Sequence, residues 1–223
     1  MMTALSALRE ECRQVSEVVL ALSEEDFGRP TRCTDWNMKE LLAHMRRSMA
    51  RLDTALREPA PAEAPCDPLT YWHRHAEAGS EGLISDQARE IAAGFATGLD
   101  LAGAWDETWK DAVSAAERAE PGRIVPIYGM ALELEGYLGT RVLDICVHRM
   151  DLEDALGRKC RVTDEAVAIV EQILVGLFGR EPPAALGWDA VDFIETACGR
   201  RALTEEERGI LGSQIAEGFP LIR

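Results

Sequence analysis

Residues 131–156 read ALELEGYLGTRVLDICVHRMDLEDAL, the longest segment of the chain with a helical pattern. It contains no proline, and it stops at Gly157, a residue that is typical of the position just after a helix. We therefore predict the longest helix of the chain here. A protein built around such a helix is expected to be a bundle of packed helices.

Helical spacing continues on both sides of this stretch. Apolar residues three and four apart predict a helix over residues 4–22, and Asn37 with Glu40 predicts a capping box at the start of a second helix. Further helices are predicted over residues 69–96, 102–119, 163–181, 190–197 and 204–216. A loop is expected over residues 121–129, and no alternating strands joined by hairpin turns are found. The fold class predicted from the pattern is all-α, a helical bundle with a small helical C-terminal extension.

Composition and charge exclude several classes of protein. The chain has 223 residues, of which 47% are hydrophobic and 28% charged, as is typical of a globular protein of one domain or two small ones. Lys and Arg number 24 and Asp and Glu 39, so the net charge is −15. Such a field disfavours nucleic acids and anionic membrane surfaces as partners.

Neither targeting nor disulfide bonding is predicted. Residues 1–11 lack the basic and apolar segments of a signal peptide, and no apolar run reaches the ~18 residues of a membrane span. The six cysteines form no Cys-x-x-Cys pair, which excludes common zinc and redox motifs. We expect a cytoplasmic protein with reduced cysteines.

The best candidate site lies in the long helix. Asp144 and His148 are four residues apart and therefore share one helical face, and Asp144 lies in the apolar run VLDICV, residues 142–147. His44 on the second helix is the best third ligand, and three protein ligands would leave a coordination position open for catalysis. An ordinary hydrogen bond between Asp144 and His148 is the alternative interpretation.

Other reactive side chains give weaker signals. His73 and His75 are two residues apart, diverge on a helix, and are interpreted as a solvated surface. Cys198 precedes a Gly-Arg-Arg sequence that favours a reactive thiolate, whereas Cys146 lies in an apolar run and Cys33 in a loop. Neither a glycine-rich phosphate loop nor a Gly-x-Ser-x-Gly turn is present.

Two segments resemble a known family. Residues 33–45, CTDWNMKELLAHM, resemble the W-x-x-x-D/E-L-L-A-H-L signature of DinB-like metalloenzymes, and more specifically the N-terminal domain of the mycothiol-dependent maleylpyruvate isomerase family. Residues 140–152, TRVLDICVHRMDL, are similar to that family's R-x-x-E-x-x-x-H-x-x-D-L motif. The resemblance covers most of residues 1–157.

The resemblance implies a fold and an activity. The fold is a DinB-like, up-down-down-up four-helix bundle over residues 1–157, followed by the extension at 158–223. The ligands are His44, Asp144 and His148, with zinc as the usual metal and nickel or iron as others. The activity is S-transfer or isomerisation with mycothiol, whose metal-bound thiolate attacks a small-molecule electrophile. We expect a monomer or homodimer.

The chain also departs from the family pattern. Asp144 stands where the family has Glu, which shortens the carboxylate by one methylene and leaves open a non-catalytic binding protein with a degraded site. A hydrolase that uses zinc-bound water is the other alternative. The segment with Arg200 resembles a family Gly-Arg sequence, and Arg200 is predicted to bind a carboxylate of the thiol or substrate. Asp151 is interpreted either as an acceptor that orients His148 or as a solvated helix residue without a role. The short helical C-terminus disfavours maleylpyruvate as the substrate.

Overall fold

A computed structural model describes residues 3–33, 36–77, 79 and 81–222. Helices dominate these residues, as predicted. In chain order the elements are α1 (Ala4–Val19), α2 (Met38–Arg57), α3 (Pro68–Glu77), α4 (Glu81–Ala93), α5 (Gly98–Glu117), β1 (Ile124–Ile127), β2 (Met130–Glu133), α6 (Leu134–Ala155), α7 (Asp164–Phe178), α8 (Ala190–Ala197), α9 (Glu205–Leu211) and α10 (Ser213–Ala216). Single 3-10 turns lie at Asp26–Gly28 and Ala184–Leu186.

Helices α1, α2, α5 and α6 form a four-helix bundle, in which α1 and α2 each pack against both α5 and α6. The Trp109 indole on α5 donates to the Ser16 hydroxyl on α1 at 2.8 Å. Beyond the end of α1, the Glu24 carboxylate accepts from the Gly98 amide at the start of α5, at 2.7 Å. These contacts show that α1 and α5 run in opposite directions.

The other two helices complete an up-down-down-up order. At the start of α2, Lys39 donates to the Phe95 carbonyl just before α5 at 2.9 Å. Past the end of α5, Arg123 donates to the Leu56 carbonyl near the end of α2 at 3.1 Å, so α2 and α5 are parallel. The Leu134 amide donates to the Arg123 carbonyl at 2.7 Å, so α6 starts at this same end and runs back. This is the bundle that the family resemblance implies.

The single helix predicted over residues 69–96 is wrong, because two helices, α3 and α4, occupy this range. Gly79 between them has φ +56°, a left-handed conformation that interrupts a helix and that glycine adopts without strain. Residues 78 and 80 lie outside the described part of the chain. Because of this break, α3 and α4 pack against different helices. Helix α3 packs against α6 and α7, whereas α4 packs against α2.

The loop predicted over residues 121–129 is also wrong, because it contains most of a short β-hairpin. Strands β1 and β2 pair antiparallel, from Ile124 with Glu133 to Ile127 with Met130. Tyr128 and Gly129 connect them with φ values of 50° and 77°, as in a type I′ turn. The hairpin gave no clear signal because each strand has four residues and the turn lacks the usual Asn-Gly or Asp-Gly pair.

The C-terminal extension packs directly on the bundle. Helix α7 contacts α1, α6 and α8, and buried residues of α7 and α8 belong to the same apolar core as the bundle. The helix predicted over residues 204–216 is divided into α9 and α10 at Gly212, where φ is +79°. Among the described residues, none of the helices has the length and apolar character that crossing a bilayer requires.

Candidate metal centre

Helix α2 brings His44 to the centre of the bundle. The predicted capping box is present: the Asn37 side chain accepts from the Glu40 amide, and the Glu40 carboxylate accepts from the Asn37 amide, both at 2.9 Å. With the helix start fixed in this way, His44 and Ser48 lie one turn apart on the same face. Two residues of the motif at 33–45, at positions 34 and 35, lie outside the described part of the chain.

Helix α6 supplies Asp144, whose two carboxylate oxygens have different surroundings. Oδ2 accepts from the Ser48 hydroxyl at 2.6 Å and from the Arg141 guanidinium at 2.9 Å. Arg141 is held in turn by its bond to the Tyr71 hydroxyl at 2.8 Å. Burial would raise the pKa of Asp144, but Arg141 and the two neighbouring imidazoles hold that pKa well below its usual range. Asp144 is therefore an anion whose Oδ1 faces the histidines.

Three potential ligand atoms lie close together. Oδ1 of Asp144 lies 3.5 Å from Nε2 of His44 and 3.4 Å from Nε2 of His148, and all three atoms lie within 4.8 Å of one another. These separations are longer than the usual 2.7–3.2 Å of an N–H···O hydrogen bond. They match the roughly 3.4 Å expected between two ligands about 2.1 Å from one tetrahedral ion. A metal site thus fits the spacing better than the alternative hydrogen bond between Asp144 and His148.

A second set of side chains surrounds Asp151, which contacts Nδ1, the other ring nitrogen of His148. Nδ1 of His148 lies 3.1 Å from Oδ2 of Asp151, the contact expected if Asp151 is an acceptor that orients His148. Arg200 donates to both oxygens of Asp151, at 3.1 and 2.7 Å, and Arg32 lies 3.3 Å from Oδ1. The Cys33 thiol donates to the same carboxylate at 3.1 Å. A carboxylate on the far nitrogen fixes the tautomer of a ligating histidine, so that Nε2 faces the ion.

The two imidazoles have opposite pKa shifts. Burial lowers the pKa of His44, and its contact with Asp144 offsets this only in part. Burial would also lower the pKa of His148, but Cys33, Asp144 and Asp151 outweigh it and raise that pKa well above its usual range. A metal ligand must be a neutral imidazole. The lowered pKa of His44 favours this form, whereas His148 would have to lose its proton in order to bind a metal ion.

Comparison with known proteins identifies a family. The family model described as the mycothiol maleylpyruvate isomerase N-terminal domain matches residues 8–153, more than half of the chain. This chain belongs to that family. No curated protein and no solved structure gives a match. The matched range contains most of α1, all of α2 to α5, the hairpin and nearly all of α6, and therefore all three candidate ligands.

The chain's donor set fits the metal that this family resemblance implies. Two imidazole nitrogens and one carboxylate oxygen suit Zn²⁺, and also Fe²⁺ or Ni²⁺. Although Asp144 is shorter than the family's Glu, its Oδ1 is 3.5 Å or less from both imidazole nitrogens. The missing methylene therefore does not separate the ligands. Nδ1 of His44 is buried with no hydrogen-bond partner in the described structure, so only His148 has a supporting carboxylate.

The metal-site residues line a cleft of about 1030 Å³. Helices α2 and α6 contribute His44 and Asp144, while α3 and α4 contribute further aromatic and charged residues. The hairpin adds Tyr128. The C-terminal extension, which the family match does not reach, adds Arg200 and Ile222. The cleft is thus shared between the family domain and the extension.

The structure corrects two predictions about other reactive residues. His73 is exposed, as expected, but His75 is half-buried, stacks on Tyr71 and lines the cleft. Cys198 is buried, and burial raises the pKa of its thiol to about 12, which disfavours the reactive thiolate that the following arginines suggested. Arg200 donates two hydrogen bonds to the carboxylate of Asp151.

Sequence reasoning assigned no role to four residues around the site: Arg32, Ser48, Tyr71 and Arg141. Arg141 precedes Asp144 by three residues, a spacing at which helical side chains can pair, so this contact could have been found. Ser48 follows His44 by one turn and gave a similar signal. Tyr71 and Arg32 reach the site from α3 and from the loop before α2, and nothing local in the sequence indicated those contacts.

Proposed function

We propose that this protein is a divalent-metal-dependent enzyme that uses a low-molecular-weight thiol, mycothiol, in S-transfer to a small electrophile or in its isomerisation. The observation that carries the proposal is that potential ligand atoms of His44, Asp144 and His148 lie within 4.8 Å of one another in the lining of a cleft. Membership of the mycothiol maleylpyruvate isomerase N-terminal domain family supports the choice of thiol. We expect zinc as the metal and the reduced cytoplasm as the setting.

The chain's own residues would hold the ion and orient its ligands. When bound, a divalent ion lowers the pKa of a thiol in its open position and so favours the nucleophilic thiolate at neutral pH. His44, Asp144 and His148 would be the ligands. Ser48 and Arg141 bind Oδ2 of Asp144, so that Oδ1 would be free to bind the ion.

Arg200 is assigned a positioning role in this proposal, in place of direct carboxylate binding. Its two hydrogen bonds to Asp151 use the planar fork of the guanidinium. Asp151 in turn holds Nδ1 of His148 at 3.1 Å. Loss of Arg200 should therefore loosen the orientation of His148 and weaken metal binding, with a smaller effect than loss of His148 itself.

Metal analysis tests the site. The purified protein and the variants His44→Ala, His148→Ala and His73→Ala are compared by elemental mass spectrometry after dialysis. The wild type and His73→Ala, whose substituted side chain is exposed and lies on α3, should retain close to one ion per chain. The two ligand variants should retain little. Equal metal content in all four proteins would contradict the site.

Turnover tests the thiol. The metal-loaded protein is incubated with mycothiol and either an aryl chloride, whose chloride the thiolate displaces to form a carbon–sulfur bond, or a cis-unsaturated keto acid that can isomerise. Products are identified by mass spectrometry and chromatography. We expect product that requires both mycothiol and His148. Turnover without any thiol would contradict the proposal in favour of a hydrolase, and turnover of neither substrate would favour a binding protein.

A further inference from the structure

Tyr128, at the tip of the β1–β2 hairpin, has an unusual backbone conformation. Its φ is 50°, and it is the one non-glycine residue with a left-handed φ in the part of the chain that the structure describes. A Cβ makes this conformation unfavourable, and a bulky side chain is rare in it. Residues held in such conformations are common at ligand-binding and active sites. Tyr128 is therefore a candidate for a functional role.

The hairpin itself does not require a tyrosine at this position. A type I′ turn has a left-handed φ at both of its central residues, and Asn-Gly or Asp-Gly is the pair that fits it best. Gly129 occupies the second position with a φ of 77°. An asparagine in place of Tyr128 would form the same turn with less strain. The tyrosine is therefore not explained by the turn.

Burial in the core does not explain the tyrosine either. Its side chain is 52% exposed, whereas Met130, two residues further on, is buried. The guanidinium carbon of Arg51 lies over its ring, 5.6 Å from the ring centre. Arg51 is itself held by the Glu58 carboxylate at 2.7 Å and by the Pro126 carbonyl at 2.9 Å. Arg51 thus supports the ring from one side, while half of the side chain stays in contact with solvent.

The exposed ring of Tyr128 lies in the lining of the cleft that contains the candidate metal site. Met130 lines the cleft from the same hairpin, and Tyr71 lines it from α3. Burial is the main cause of the raised pKa of Tyr71, and the nearby Tyr128 hydroxyl also raises it. The hairpin therefore adds an exposed aromatic ring and a thioether to a cleft whose wall already contains a buried aromatic residue.

Other exposed apolar side chains of the described chain lack this combination of features. Leu20, Leu99 and Ile210 are 36–49% exposed and do not line the cleft. Leu83 lines the cleft, but it lies on the regular helix α4, where a single exposed leucine is ordinary. Among these residues Tyr128 alone combines exposure, a position in the cleft and a strained backbone.

We propose that Tyr128 is a specificity-determining residue, whose ring packs against an uncharged aryl or alkyl group of the electrophilic substrate. The inference rests on the proposed function, because it names the class of substrate that reacts with the thiol. Packing of an apolar group on the ring removes apolar surface from water, and an aryl group adds the favourable geometry of an aromatic pair. Met130 beside it adapts to groups of different shape. The turn holds the ring at the cleft before the substrate arrives, which reduces the entropy lost on binding.

Binding of an uncharged, unreactive probe tests this subsite. N-phenyl-1-naphthylamine becomes fluorescent when it leaves water, and the metal-loaded full chain is titrated with it. Tyr128→Asn should weaken its binding about 10-fold, because the aromatic surface is lost. Tyr128→Phe should bind the probe within about twofold of the wild type, because the ring remains. Failure of the wild type to bind the probe, or equal binding by the wild type and Tyr128→Asn, would overturn the proposal.

A matched variant and a stability measurement separate binding from folding. Leu99→Asn removes an apolar side chain that is 46% exposed on α5 outside the cleft, and it should bind the probe like the wild type. Tyr128→Asn should unfold at the same urea concentration as the wild type or at a higher one, since Asn-Gly favours the turn. An equal loss of probe binding in Leu99→Asn or Tyr128→Phe would contradict the assignment to the ring. Weaker probe binding together with a lower urea midpoint in Tyr128→Asn would assign the residue to the fold and overturn the proposal.

Turnover measures the same preference in the reaction. With 1-chloro-2,4-dinitrobenzene and with 1-chloro-2,4-dinitronaphthalene, the mycothiol thiolate forms a carbon–sulfur bond and chloride leaves, but the second compound has the larger apolar body. After subtraction of the uncatalysed rate, Tyr128→Asn should lower kcat/KM for the naphthalene several-fold more than for the benzene. Equal losses for the two compounds would overturn the specificity role.

Two further outcomes distinguish this inference from the proposed function. In His148→Ala, which should lose the metal, probe binding should still depend on Tyr128, because an uncharged apolar probe does not need the ion; loss of that dependence would overturn the subsite. Tyr128-dependent probe binding without mycothiol turnover would support the subsite and contradict the proposed function. Mycothiol turnover by a protein whose probe binding is independent of Tyr128 would do the reverse.

Discussion

Asp144 serves two sets of partners because its two oxygens face different ways. Oδ2 joins α6 to α2 through Ser48, and Oδ1 lies between the two imidazoles. Burial of a carboxylate is unfavourable unless a cation and hydrogen bonds compensate for it. Arg141, also buried, provides that cation. Asp144 thus has four partners, Ser48, Arg141, His44 and His148, of which the sequence indicated only the two histidines.

Asp151 should contribute to metal affinity although it is not a ligand. Asp151→Asn removes the negative charge behind His148 and should lower the affinity for Zn²⁺ about 10- to 100-fold, because the carboxylate fixes the orientation of the ligating ring. Affinity is measured by competition with a chromophoric chelator. Asp154→Asn is the control, since the Asp154 side chain is 53% exposed, and it should bind like the wild type. Equal affinity of Asp151→Asn and the wild type would contradict the role.

Cys160 and Cys198 should differ in reactivity, because burial raises the pKa of the two thiols to different extents. Burial raises the pKa of the half-buried Cys160 to about 11. Below that pH the reactive thiolate increases about tenfold for each pH unit, so alkylation of Cys160 by iodoacetamide should accelerate about 100-fold between pH 7 and pH 9. Cys198, buried and with its pKa raised to about 12, should react only after denaturation. Mass spectrometry of peptides reports both rates, and equally fast labelling of native Cys198 would contradict the prediction.

At the scale of single elements, the start of α5 depends on a glycine. A Cβ at Gly98 would lie 2.2 Å from the ring of Phe27, which is buried. Gly98→Ala should therefore lower the free energy of unfolding by about 1–3 kcal/mol through overpacking. Gly103 on the same helix has open space around it, so Gly103→Ala should raise stability by about 0.5–1 kcal/mol. Urea denaturation measures both, and a stabilising Gly98→Ala would contradict the packing.

Elements with strong local signals were predicted well. The capping box of α2, the Thr163 cap of α7 and the range of α8 agree with the structure. The errors fall where local signals are weak or ambiguous. A glycine in a helical pattern can be tolerated or can end the helix, and Gly79 and Gly212 end it. The hairpin has strands too short for an alternating pattern to be recognised.

At the scale of the whole molecule, a buried ion pair joins the bundle to the C-terminal extension. Glu11 on α1 accepts from Arg149 on α6 at 2.7 Å and from the Thr163 hydroxyl at the start of α7, also at 2.7 Å. Arg149 donates in addition to the Arg161 carbonyl at 2.8 Å. Both members of the pair are buried. Three helices thus meet at one carboxylate in the middle of an apolar core.

Removing this carboxylate should destabilise the whole protein. Glu11→Gln leaves the buried charge of Arg149 without its partner and should lower the free energy of unfolding by about 3–5 kcal/mol. Glu10→Gln is the neighbouring control, because Glu10 forms an exposed pair with Arg13 and should change stability by less than about 1 kcal/mol. Both values come from urea denaturation followed by circular dichroism. Similar losses in the two variants would contradict a special role for Glu11.

Local sequence patterns were enough to predict the helical class, most helix ranges and the three candidate ligands. These depend on interactions within a few residues, such as the capping box of α2 and the spacing of Asp144 and His148, and on the motifs at 33–45 and 140–152. Packing between separate elements, in contrast, brings Tyr71, Arg32 and Arg200 to the site and brings Arg47 and Arg74 to the cleft. These contacts could not be predicted from the sequence. The spacing of residues along an element carries no information on the partners that a side chain meets from distant parts of the chain. The net charge of the chain is −15, yet packing brings six arginines and two aspartates of the described residues together along one cleft.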